Sequence, residues 1–128
     1  METGNNLEIY ERDYLLSCHY GDYKRALELA QKLYDMKIYW LGKKHPDILK
    51  LLRDLAYLNN KLGQHEKALE IKEEIFNWLS SVKGQEHPET LQALSDLVNS
   101  YEKFGKIDNP KTKDALKLLN EIKKKLQE

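Results

Sequence analysis

Shifted by 42 positions, the chain falls on itself. Gly21 meets Gly63 and then Gly105; Ala26, Leu27 and Glu28 meet Ala68, Leu69 and Glu70. Gly42 meets Gly84, and the pair His45-Pro46 meets His87-Pro88. Leu49, Leu52, Asp54 and Leu55 meet Leu91, Leu94, Asp96 and Leu97. A repeat of this length cannot bury a core unit by unit. It must stack like elements on one another, and about three units are the minimum for a stable array.

The repeated residues have helical spacing. Leu49, Leu52, Leu55 and Ala56 fall at i, i+3, i+6 and i+7, and Leu91, Leu94, Leu97 and Val98 do the same. Pro46 and Pro88 suit a first helical turn, where the missing N–H costs little. Asp47 and Glu89 follow them at the positive end of the helix dipole. Gly63 and Gly105 suit a helix C-terminus, where the left-handed conformation is needed. The first helix of each unit is therefore expected over about 46–62 and 88–104.

A second helix follows each glycine. Its stripe is Ala26, Leu27, Leu29, Leu33, Tyr34 and Ile38 in one unit, ending near Gly42. In the next it is Ala68, Leu69, Ile71, Ile75 and Trp78 or Leu79, ending near Gly84. The alanines allow close approach of the paired helix. Residues 6–20 fit a first helix with Leu7, Tyr10, Tyr14 and Leu15, although Asp13 stands where the later units have Leu55 and Leu97. After Gly105, Ile107-Asp108-Asn109-Pro110 breaks the register. Residues 111–127 then form a Lys-backed helix with the stripe Ala115, Leu118, Leu119, Ile122 and Leu126. A polar outer face suits the closing element of an array.

Composition narrows the function classes. Lys plus Arg and Asp plus Glu are both 21, so the formal net charge is zero and the basic excess of a nucleic-acid module is missing. No apolar run approaches the roughly 20 residues that span a bilayer. The opening METGNNLEIYERDYLL is too polar for a signal peptide. The single cysteine, Cys18, forms no internal disulfide and reads as a small apolar residue in a reducing, cytoplasmic setting. There is no Gly-x-Ser-x-Gly, no phosphate-cradling glycine loop and no zinc-ligand spacing, so no enzyme, cofactor or metal is expected. His45 and His87 read as structural residues of the helix corners. Among the aromatics late in the second helices (Tyr34, Tyr39, Trp40, Phe76 and Trp78), most are expected in packing and some on the surface.

GDYKRA at 21–26 and GQHEKA at 63–68 carry the Gly-x-x-x-x-Ala corner, and LGKKHPD at 41–47 and KGQEHPE at 83–89 carry the second signature. With these segments the chain resembles the tetratricopeptide repeats (TPRs), in the 42-residue form found in kinesin light chains. The resemblance implies an all-α fold: a right-handed superhelix of about three helix hairpins with a C-terminal capping helix. One domain is expected over 1–128, with units at about 6–42, 46–84 and 88–127. It also implies a non-enzymatic scaffold that binds a protein or extended peptide in a concave groove lined by the first helices.

Carried over by position, that groove comprises Lys50, Arg53, Tyr57, Asn60 and Lys61 from the middle unit. Gln92, Ser95, Asn99, Glu102 and Lys103 come from the last, with Glu8, Glu11, Leu15 and His19 as lesser members from the first. Lys50, Arg53 and Lys61 around Tyr57 suit an acidic segment. No nucleic acid or membrane partner is expected. Two alternatives stay open: a regulatory or sensor module controlling an effector enzyme, and self-assembly, including pairing through the irregular first helix.

Overall fold

Each His-Pro pair opens a helix in the computed structural model, which describes residues 2–104 and 110–127, with side chains from residue 6. His45 has extended backbone, and its Nδ1 accepts the Asp47 N–H at 3.1 Å; His87 does the same for Glu89 at 3.1 Å. Each histidine thus satisfies one of the N–H groups that a helix start leaves without a partner, and the proline after it needs none. The recurrence of His-Pro is a capping device.

The described residues form α1 (Glu2–His19), α2 (Tyr23–Leu41), α3 (Pro46–Lys61), α4 (His65–Val82), α5 (Pro88–Lys103) and α6 (Pro110–Gln127), with no strand among them. The expected boundaries hold to within a few residues. Gly105 and Ile107-Asp108-Asn109, expected to end α5 and to break the register, lie outside the described residues.

The corners at Gly21 and Gly63 close by one mechanism. At the end of α3, Gly63 takes φ +76°, its N–H bonds the Asn60 carbonyl at 3.0 Å, and the Gln64 N–H bonds the Asn59 carbonyl at 2.8 Å. This double bond pattern is the Schellman motif, and its left-handed position favours glycine. At the end of α1 the Asp22 N–H reaches the Ser17 carbonyl at 2.8 Å, and the Asp22 side chain then caps α2 by accepting from the Arg25 N–H.

The chain forms two compact units, Met1–Ile71 and Lys72–Glu128. In the first, α1 packs on α2 and α2 on α3. Ala26, Ala30, Leu55 and Leu58 make a buried cluster against which Tyr14, Cys18, Tyr23 and Ile71 pack. Ala26 and Ala30 are wholly inaccessible, which is why no larger residue fits there. Cys18 is half-buried against this cluster rather than fully inside it. In the second unit, α5 packs on α6, and Leu94, Val98, Leu119 and Ile122 are buried with Phe76 and Leu118 against them. Each fully buried leucine contributes about 1.5–3 kcal/mol.

Two stripe residues depart from expectation. Leu15 is exposed, because it lies one residue, about 100°, from Tyr14 and so leaves the buried side of α1. Leu126 is also exposed. Of the late aromatics, Trp78 is buried and Tyr34 and Phe76 are half-buried, whereas Tyr39 and Trp40 are exposed and meet edge to face at 5.3 Å.

Candidate binding surface

On α3 the buried side is almost continuous: Ile48, Leu49, Leu51, Leu52, Leu55, Ala56, Leu58 and Asn59. Beyond the first turn, the exposed residues are Lys50, Arg53, Tyr57 and Lys61, with Asp54 and Asn60 half-buried beside them. At 3.6 residues per turn these four positions share one face and extend for roughly 16 Å. Tyr57, with 54% of its surface open, is edge-on to Tyr23 of α2 at 6.4 Å. The Lys61 ammonium lies 5.5 Å above the Tyr57 ring. The face therefore presents three cations around an aromatic ledge that Tyr23 props from below. The carboxylate on its flank, Asp54, is turned to the Tyr14 hydroxyl. Burial, and then the Asp54 charge, push the Tyr14 phenol well above its ordinary value.

Asn60 plays a different part from its neighbours. Half-buried, it meets Nδ1 of His65 through its Oδ1 at 3.0 Å and ties the end of α3 to the start of α4. Of the α1 residues, Glu8, Leu15 and His19 are exposed, while Glu11 pairs with Lys37 at 3.4 Å, and Lys37 also reaches Asp47 at 3.5 Å.

In the second unit, α5 exposes Gln92, Asn99, Glu102 and Lys103, with Ser95 half-buried. Gln92 donates to Asp96 at 3.0 Å, and Lys103 lies 5.6 Å over Phe104. Behind this face is a polar set that sequence reasoning did not find. Lys72 of α4 donates to the Ser100 hydroxyl at 2.7 Å, and the Tyr101 hydroxyl donates to Glu73, which Lys111 approaches at 3.6 Å. Burial and the Glu73 bond raise the Tyr101 phenol above its ordinary value. Glu73, Tyr101, Lys111 and Asp114 rim an open cleft of about 250 Å³ floored by Phe76, Leu94 and Leu118. The partners are 28 residues apart in sequence, and the spacing of the two helices is what brings them together. Tyr23 was likewise missed: it precedes the Ala26 stripe and carries no helical-face signal of its own.

Among the described residues no group of three His, Cys, Asp or Glu side chains could hold a metal ion. No helix among them is long and apolar enough to cross a membrane.

No family model matches the chain, and no curated protein matches it. Solved structures do. A Podosopora anserina protein assigned as a kinesin light chain, with nearly identical TPR-like repeats, matches with TM-score 0.69 and 22% identity over 96% of this chain. A single-residue variant of that protein matches with TM-score 0.67 and the same identity and coverage. In each case the chain spans 57% of the matched structure. The protein has the TPR-like repeat fold, all-helical and built of helix hairpins.

Proposed function

We propose that this TPR-like chain is a non-enzymatic interaction scaffold that docks a protein or an extended peptide on the outward face of α3. The observation that carries this reading is the line Lys50, Arg53, Tyr57 and Lys61: three cations about one exposed aromatic, on a helix half of whose residues are buried. Charge complementarity favours an acidic segment there, with Tyr57 as the contact for an apolar side chain. The α5 residues Gln92, Ser95, Asn99, Glu102 and Lys103 are proposed as a second, more polar contact surface. A cytoplasmic setting fits the lone thiol of Cys18.

The test is a titration of the isolated chain with an acidic peptide and with its neutral, scrambled counterpart. The acidic peptide should bind more tightly by about tenfold or more, and added salt should weaken it. The triple variant Lys50→Glu, Arg53→Glu, Tyr57→Ala should lose that preference with unchanged helicity. Equal binding of the two peptides would remove α3 from the docking surface.

A further inference from the structure

The cleft of the second unit has a makeup that the repeat does not require. Shifted by one 42-residue period, Glu73 corresponds to Gln31 and Tyr101 to Asn59. Those two bond within their own helices: Gln31 donates to Asp35 at 3.1 Å, and Asn59 to the Leu55 carbonyl at 2.8 Å. In the second unit the corresponding pair reaches from α5 to α4 instead, the Tyr101 hydroxyl donating to Oε1 of Glu73. Tyr101 is 5% exposed, so this bond fixes the Glu73 carboxylate at the rim of the cleft.

Floor and rim suit different parts of one ligand. Phe76, Leu94 and Leu118 offer an apolar seat. A volume of about 250 Å³ lies just under the range of sites for drug-sized molecules, so the occupant is small. The rim carries two carboxylates, Glu73 and Asp114, against one cation, Lys111. Lys111 answers Glu73 weakly: its ammonium stands 3.6 Å from Oε2, beyond a full hydrogen bond, and its side chain is 68% accessible. Asp114 and Asn77 are exposed on the same rim. A rim of net negative charge, lined with acceptors, complements an ammonium with its three N–H donors.

We propose that this cleft binds a small organic cation, a primary ammonium on an aryl or branched alkyl body. The body rests on Phe76, Leu94 and Leu118, and the ammonium lies between Glu73 and Asp114. Lys111 competes for the same carboxylate from outside. Leu94, Leu97 and Tyr101 leave α5 on the side opposite to Gln92, Asn99 and Lys103. The site is therefore separate from the docking surfaces of α3 and α5, and it does not rest on them.

The probe is phenethylammonium, titrated into the isotopically labelled whole chain and followed by amide chemical shifts at neutral pH. Saturable shifts are expected at Phe76, Leu94 and Leu118. Phenethyl alcohol has the body without the charge, and methylammonium has the charge without the body; each should bind about tenfold more weakly. Glu73→Gln keeps an acceptor for the Tyr101 hydroxyl, so the helices stay packed, and it should weaken the amine by about tenfold. Lys111→Met should tighten it several-fold, and Lys50→Met on α3 should leave it unchanged. Absence of saturable shifts at the three floor residues would overturn the proposal. So would equal affinity for the amine and the alcohol, or a Glu73→Gln or Lys111→Met variant that binds the amine as the parent does.

Discussion

His45 caps α3 by accepting the Asp47 N–H on its ring nitrogen, and His87 caps α5 by the identical bond to Glu89. That N–H lies in the first turn, where no preceding turn supplies a backbone carbonyl for it. His45→Ala and His87→Ala should each lower stability by about 1 kcal/mol. His87→Asn should restore most of the loss, because a side-chain oxygen accepts in the same position. Urea unfolding with an unchanged m-value checks both.

Ala26 and Ala68 stand at equivalent places in two successive repeats and are both buried, at 0% and 1% exposure. Neither position has room for further methylenes. Ala26→Leu should cost about 1–3 kcal/mol through displaced neighbours, and more than Lys24→Leu, a nearby position on the exposed side of the same helix. Thermal melts of the two variants supply the comparison.

Tyr14 and Tyr101 resist ionisation in the folded chain, each chiefly through burial and then through a neighbouring carboxylate, Asp54 or Glu73. Their stabilising contribution is complete below the ordinary phenol value of 10.0 and declines above it, because the unfolded chain there releases protons that the folded chain keeps. Stability should therefore fall as pH rises beyond about 10. Tyr14→Phe and Tyr101→Phe should each flatten that fall. Urea midpoints measured between neutral and strongly alkaline pH decide the matter, and parallel slopes in variant and parent would contradict it.

Gly63 sits at φ +76° with open space where a Cβ would go. Any cost of Gly63→Ala must therefore come from the backbone and not from a clash. About 1 kcal/mol is expected. Gly63→Asn should cost less, since asparagine tolerates the left-handed region better than alanine. Chemical denaturation of the pair separates the two.

The fold was legible in the sequence to an unusual degree. Leu49, Leu52 and Leu55 recur as Leu91, Leu94 and Leu97 and all are at least half-buried, and Pro46 and Pro88 begin helices as read. The outward residues of α3 were legible for the same reason. Once the leucines are assigned inward, Lys50, Arg53, Tyr57 and Lys61 have nowhere to go but out. Asn60 shows where this inference by elimination fails. It shares the outer arc of the helix, yet the turn into α4 brings His65 within 3.0 Å and occupies it.

The helix positions and their ends follow from interactions that reach no further than four or five residues. The His45 cap, the Gly63 corner and the apolar spacing are each complete within one or two turns of chain, so a single sequence contains all that is needed to place them. Tyr14 against Asp54, Lys72 against Ser100 and Tyr101 against Glu73 are of another kind. Each joins side chains from different helices, 28 residues apart in the last two cases. Whether they meet depends on the distance and rotation at which those helices pack. Packing is set collectively by the buried volumes of many residues, and no local pattern in the chain records it.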